Sequence, residues 1–297
     1  MSRTAYRGAT AEAIRHHYDV SNDFYALWLD ASLTYTCALW AGDPHAPGNT
    51  DDLETAQARK LDHLIEGARA AGARRVLDVG CGWGSLLRRL TEQYGVAHAV
   101  GLTLSDSQAQ LVRAAALPGT EIRLENWRDH EPAEGYDAVI SIGAFEHFAR
   151  PGLARGERVA AYREFFERCH VWLPARGRIA LQTNVKGSNT VLDRATVREL
   201  MFIIESIFPE SEIPALSEVI EASEKLFDVV CLRNDPDHYA RTCGEWLARL
   251  RARRGSAVRV AGEDRVANYE RYLDASIRHF RNRHLGLARI ILEKGRR

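Results

Sequence analysis

From about Ala71 onward the chain alternates two spacings of apolar residues. Short runs rich in Val, Ile and Leu recur in RRVLDVGC (74–81), AHAVGLTLS (97–105), TEIRLENW (120–127), YDAVISIG (136–143) and GRIALQTNV (177–185). Such runs predict buried strands, because a strand covered on both faces has no polar side to show. Between them lie GSLLRRLTEQY, DSQAQLVRAAA and RVAAYREFFERCHVWL, which read as helices. Strand alternating with helix implies an α/β fold, a mostly parallel sheet covered on both faces.

After Asn184 the pattern changes. Residues 190–226 read as helix punctuated by Pro209 and Pro214, and FDVVCLRND (227–235) returns as a strand. A long helical stretch from Tyr239 to about His284 precedes a last strand, LARIILEK. The late helices are expected to be an insertion between the final two strands. The chain then forms a single domain in three parts: a helical N-terminal cap (1–70) over the ligand end of the sheet, a core (71–184), and late helices with the final strands (185–297). No internal repeat or low-complexity linker interrupts it.

The length of 297 residues allows one large α/β domain or two small ones, so the pattern decides. Forty basic residues balance forty acidic ones, which leaves no global field to draw the protein to nucleic acid or anionic lipid. The arginine-rich RLRARRGSAVRV and RHFRNRH read as solvated helix faces. Cys37, Cys81, Cys169, Cys231 and Cys243 are odd in number and scattered, with no CxxC pair. That argues against a disulfide framework or a zinc site and for a reducing compartment. The polar first twenty residues lack the apolar core of a signal peptide, and no apolar run approaches the roughly 18 residues of a membrane span. A cytoplasmic protein without stable membrane insertion is expected.

Candidate chemistry starts at Gly80-x-Gly82-x-Gly84, between a strand and a helix. Glycines let that turn close tightly and let a ligand approach the backbone. A dinucleotide loop would read G-x-G-x-x-G, with an acid near the end of the second strand for ribose. Here the third glycine comes one residue early, and the second strand ends GLTLS with no carboxylate until Asp106. The tighter loop preceded by Asp78 resembles the first motif of S-adenosylmethionine (SAM) methyltransferases.

With these motifs in place, the chain resembles the cyclopropane-fatty-acyl-phospholipid synthase and mycolic-acid cyclopropane synthase family. The matching stretches run in family order from about His16 to the C-terminus: HHYDVSNDFYALWLD, LTYTCALW, VLDVGCGWGSLLRRL, VGLTLSDSQ, NW, SIGAFEHF, LPARGRIAL and DHYARTCGEWLARL. The resemblance implies a class I SAM-methyltransferase Rossmann-like fold, with a seven-stranded mostly parallel sheet, a helical N-terminal lid and helical insertions over the acceptor site. It implies SAM held by Tyr35, Thr36, Asp78, Gly80, Gly82, Gly84, Thr103, Leu104, Gln108, Asn126 and Trp127. Thr103 and Gln108 have the chemistry to hydrogen-bond ribose or the amino-acid end, and Trp127 offers a face to adenine. Trp83 is expected in the wall beside the methionine moiety, or as a core residue.

At the reacting end the resemblance implies a bicarbonate held by a cysteine backbone, a glutamate, a tyrosine and a histidine. Cys37, Glu146 and Tyr239 match three of these; Gln182 stands in the histidine's place. Glutamine hydrogen-bonds an anion but carries no charge and relays no proton. The simpler expectation is that Glu146 itself acts as base or cation stabiliser. His147 is the second candidate, as base toward an amine, and a histidine propping the loop is the alternative. His16 and His17, beside Tyr18 and Asp23, are expected to order the lid.

The first reading is a SAM-dependent methyltransferase acting on an electron-rich alkene carbon of an apolar small molecule or lipid-like acceptor. N-methylation of a secondary-metabolite amine comes second and lipid cyclopropanation third. A SAM-binding scaffold without chemistry would predict a damaged glycine loop or a lost Glu146, and both are intact. VRELMFIIESIF is expected to line the acceptor cavity; Arg194 or Arg198 facing that cavity would favour an anionic head group. No metal or nucleic acid is implied, and the oligomeric state stays open, with a homodimer among the alternatives.

Overall fold

Seven strands form one sheet: β1 (Arg75–Val79), β2 (His98–Thr103), β3 (Thr120–Leu124), β4 (Ala138–Ile142), β5 (Arg178–Lys186), β6 (Phe227–Asn234) and β7 (Leu285–Lys294). Their order is β3-β2-β1-β4-β5-β7-β6. The first five strands run parallel, and β7 is antiparallel to both its neighbours. This is the SAM-methyltransferase fold. The computed structural model describes residues 7–10, 12–13, 21–46 and 49–295; His16, His17 and Tyr18 lie outside them.

The helices are α1 (Asn22–Ala26), α2 (Leu53–Gly67), α3 (Ser85–Glu92), α4 (Asp106–Ala114), α5 (Arg155–Trp172), α6 (Arg194–Ser206), α7 (Leu216–Ser223), α8 (Pro236–Ala252), α9 (Arg254–Ala261) and α10 (Glu263–Arg281). Strand side chains alternate between faces, and the core divides accordingly. Val76, Ala138 and Ile140 pack with Leu61, Leu64 and Ile65 of α2 and Leu86, Leu87 and Leu90 of α3. Leu77, Val79 and Val139 pack with Phe165, Phe166 and Cys169 of α5 on the other face. By this alternation Asp78 points to the α2 side.

A third cluster, rich in aromatic residues, joins the N-terminal segment to the late helices. Tyr25, Trp28, Trp40 and Trp83 pack there with Tyr239, Trp246, Tyr269, Tyr272 and Phe280.

Two expectations shift in detail. Between Leu27 and Asp52 the expected helical cap carries turns instead, with no helix among the described residues. The Asp30 carboxylate accepts from the Ser32 N–H at 3.0 Å and the Thr34 N–H at 2.9 Å, a local alternative to helical bonding. The stretch from Tyr239 to His284 is three helices broken at Arg253 and at Gly262, whose φ of 85° a helix does not accept. Pro209 and Pro214 separate α6 from α7 as their missing N–H groups require.

Candidate functional site

Five parallel strands end at one edge, and the loops leaving that edge build two adjoining cavities. The larger encloses about 960 Å³, open mouth included, and its lining includes Lys60, Asp78, the glycine loop, Asn126 and Trp127. The smaller, about 760 Å³, lies beneath α6, α8 and α10 and is lined mainly by Ile203, Ile204, Phe208, Ile213, Tyr239, Tyr272, Phe280 and Leu285. Tyr35, Thr36, Gly143 and His147 line both, so they form the wall between the two.

The glycine loop shapes the first cavity through the backbone. Gly80 has φ of 83°, and a Cβ there would stand 2.4 Å from the Ala144 Cβ. Gly84 caps α3 at φ 82°, and its Cβ would meet Val112 Cγ2 at 2.9 Å. Side chains would strain both positions. Trp83 lines the cavity while its Nε1 donates to Asn22 Oδ1 at 2.7 Å. Beside the glycine loop, whose Gly80 and Cys81 N–H groups donate to the Leu102 carbonyl at 3.0 and 2.9 Å, Thr103 Oγ1 donates to Gln108 Oε1 at 2.8 Å; the buried Trp127 Nε1 has no hydrogen-bond partner among the described residues. Leu104 and Asn126 line the same cavity. Asp78 is 2% exposed, and burial raises its pKa from 3.8 to about 7 against the pull of Lys60.

In the second cavity Glu146 is 5% exposed, on the 3-10 turn Phe145–His147 after β4. Its Oε1 accepts the Asn184 N–H at 2.6 Å, and its buried Oε2 receives no hydrogen bond from the described residues. Burial raises the carboxyl pKa from 4.5 to about 7, while the Asn184 N–H and the nearby Thr183 and Asn184 side chains hold it down. His147 Nδ1 stands 2.8 Å from Ser211 Oγ, and burial lowers the imidazole pKa to about 4, so the ring is neutral. Tyr239 lines the same cavity, and burial raises its phenol pKa.

Cys37 and Gln182 lie outside the lining of both cavities. Gln182 Nε2 donates to the Cys37 carbonyl at 3.3 Å, and Gln182 Oε1 accepts from Arg289 Nε at 2.8 Å. The buried Arg289 also donates to the Ala38 carbonyl at 2.9 Å and pairs with Asp235 at 2.5 Å. Burial raises the Cys37 thiol pKa to about 11, against the nearby Arg289 charge. Arg194 and Arg198 are exposed on α6 and do not line the acceptor-side cavity; Ile203 and Ile204 of the same helix do.

Sequence reasoning passed over Lys60, Asn184, Ser211 and Arg289. Lys60 left a legible signal: it sits on the same α2 stripe as Leu53, Ala56, Leu61 and Leu64, where a solvated lysine has no reason to be. The other three act through contacts across dozens of residues, which no local pattern announces.

Comparison with known proteins agrees with this fold. Residues 6–290 match the family described as mycolic acid cyclopropane synthetase. Cyclopropane mycolic acid synthase 3 of Mycobacterium tuberculosis is 33% identical, over 95% of this chain and 96% of that protein. The structure of the cyclopropane synthase MmaA2 from the same organism superposes with a TM-score of 0.87 at 31% identity, covering 97% of this chain and 99% of that one. Mycolic acid cyclopropane synthase CmaA1, complexed with SAH and CTAB, gives 0.86 at 31% identity with the same coverage, 97% and 99%. The chain belongs to the mycolic acid cyclopropane synthetase family and is a SAM-dependent methyltransferase of the cyclopropane-synthase type.

Proposed function

We propose that the enzyme methylates an electron-rich alkene carbon of an apolar, lipid-like acceptor held in the smaller cavity, with Glu146 as base or cation stabiliser. SAM supplies a methyl group on a positively charged sulfur. The larger cavity fits it: Trp127 Nε1 is a buried donor without a hydrogen-bond partner among the described residues, the buried Asp78 lines the cavity, and a Cβ on Gly82 would meet nothing within 4 Å. Asp78, Gly80, Gly82 and Gly84 would hold the methionine side, and Thr103, Leu104, Gln108, Asn126 and Trp127 the adenosine. Tyr35 and Thr36 would align the reacting ends across the shared wall.

The single observation carrying this reading is Glu146 Oε2, buried and without a hydrogen bond among the described residues, on a side chain that lines an apolar cavity. An unpaired buried carboxylate oxygen is costly unless it meets positive charge or a proton. Methyl addition to an alkene leaves positive charge on the neighbouring carbon, and Glu146 is poised to stabilise it and remove its proton. Aromatic Tyr239, Tyr272, Phe208 and Phe280 add ring faces that favour a cation. CTAB bound to CmaA1 supports a lipid-like acceptor.

Bicarbonate fits less well. Glu146 and Tyr239 face the cavity, but both ends of the Gln182 amide are engaged, by Arg289 and by Cys37. A second reading, N-methylation, draws on the neutral His147 imidazole in the wall between the cavities. Incubation with SAM and a panel of alkenes, unsaturated lipids and amines, read by mass spectrometry, separates these outcomes. Methyl gain with the double bond kept supports the proposal. Ring closure or methylation only on nitrogen refutes it.

A further inference from the structure

We propose, on the footing that the smaller cavity holds the alkene acceptor, that this acceptor carries a hydroxyl group close to the methylated carbon and that Asn184 Oδ1 receives its hydrogen bond. β4 pairs with β5 only as far as Gln182, and Asn184 lies two residues further on, past that end of the sheet. It lines the smaller cavity and not the larger. Its Oδ1 is buried and has no hydrogen-bond partner among the described residues. A carbonyl oxygen taken out of water without a donor is costly, because the lost hydration is not repaid.

The rest of the residue is used within the protein. Its N–H donates to Glu146 Oε1 at 2.6 Å, and its backbone carbonyl accepts from Thr183 Oγ1 at 3.1 Å. Its side-chain amide helps to hold the Glu146 pKa down, which an amide does through its N–H groups, so the oxygen is the end left over. Two hydroxyls of the same lining are turned elsewhere: Ser211 Oγ pairs with His147 Nδ1 at 2.8 Å, and the Tyr35 hydroxyl donates to that of Tyr272 at 3.3 Å. The isoleucines, phenylalanines and Leu285 of the cavity have no donor to give. The donor must therefore come with the ligand. Asn184 N and Oδ1 belong to one residue, and that nitrogen touches Glu146, so the donor site and the carboxylate are neighbours. A hydroxyl within reach of Oδ1 then sits only a few bonds from the carbon presented to Glu146, the spacing of an allylic or homoallylic alcohol. One polar contact in an otherwise apolar cavity would fix which carbon meets the methyl group.

The test compares acceptors that differ only in the proposed contact. Long-chain allylic and homoallylic alcohols are titrated by calorimetry into the full chain loaded with S-adenosylhomocysteine, each against its fluoro analogue. Fluorine keeps nearly the size of the hydroxyl and removes the donor. The wild type is expected to bind the better-fitting alcohol about tenfold or more tightly than its fluoride, the effect of leaving a buried acceptor unpaired. Asn184→Leu should bring the two within about threefold of each other, with S-adenosylhomocysteine affinity unchanged, since Asn184 does not line the larger cavity. Equal affinity for alcohol and fluoride in the wild type, no binding of any alcohol, or a preference that survives Asn184→Leu overturns the donor site. Should Asn184→Leu fail to fold, the wild-type pair decides alone, preference supporting the site and equality overturning it. Mass spectrometry of the same panel with SAM tests the reading beneath. Alcohols that bind preferentially but never gain a methyl on carbon would sink the alkene reading and leave the donor site standing.

Discussion

Glu146→Gln should do two opposite things. It keeps the side chain's size and an oxygen for the Asn184 N–H, while removing the ionisable group from the acceptor cavity. Folding displaces the Glu146 pKa upward from 4.5 to about 7, a difference worth about 3 kcal/mol against the ionised folded state. Because the folded pKa is raised, the native state binds the extra proton between about pH 4.5 and 7. Stability from this group therefore falls as pH rises through that window, and the full penalty remains above it. At pH 8 Glu146→Gln should raise stability by up to about 3 kcal/mol, roughly 5 °C in Tm for a chain of this size. At pH 4 the gain should vanish. Activity should move the other way: loss of a general base lowers turnover by about 10²–10⁴-fold. Wild-type turnover should rise with pH through about 7, as the carboxyl ionises. Thermal unfolding at both pH values, product mass spectrometry and calorimetric SAH titration check all three effects. A variant no more stable at pH 8, or one that loses SAH affinity along with turnover, refutes the assignment of a strained, acceptor-facing carboxylate.

Other substitutions probe the surrounding parts. Gly80→Ala should destabilise by about 2 kcal/mol or more and weaken SAH binding, because the left-handed φ and the Ala144 contact both resist a side chain; urea unfolding and calorimetry measure it. Arg289→Leu leaves Asp235 with only its Arg233 partner and strips Gln182 Oε1 of its donor. A loss of about 3 kcal/mol in urea unfolding is expected. Ile203→Trp should fill the smaller cavity, cutting acceptor turnover while SAH affinity is unchanged, since Ile203 lines only that cavity.

The central strands were legible because burial on both faces writes itself into the sequence as unbroken apolar runs, whereas the edge strands β3 and β6 stand half-buried and exposed and were marked by their β-branched and aliphatic residues instead. The glycine loop and Glu146 were legible for a related reason: backbone and chemical constraints concentrate in a few consecutive residues. What stayed hidden depends on distant partners. Asp30 and its neighbouring hydroxyls divert the 27–52 segment from helix, and Gly262 ends a helix whose apolar pattern runs on.

Gln182 makes the difference plainest. Read alone, a glutamine in a histidine's place is a neutral donor and acceptor available to an anion. In the fold its acceptor is held by Arg289, 107 residues away, and its amide by the Cys37 carbonyl, 145 residues away. The same guanidinium binds Ala38 and Asp235, so the glutamine joins a buried polar network linking β5, β7 and the N-terminal segment. A polar residue's chemistry is set by whichever groups satisfy it, and satisfaction here is tertiary. Residue identity therefore fixes what Gln182 is able to offer, while its neighbours draw both ends of its amide into that network and away from the lining of the smaller cavity. Glu146 is the opposite case: among the described residues only one of its oxygens is hydrogen-bonded, and the other is the one the proposed function assigns to the reaction.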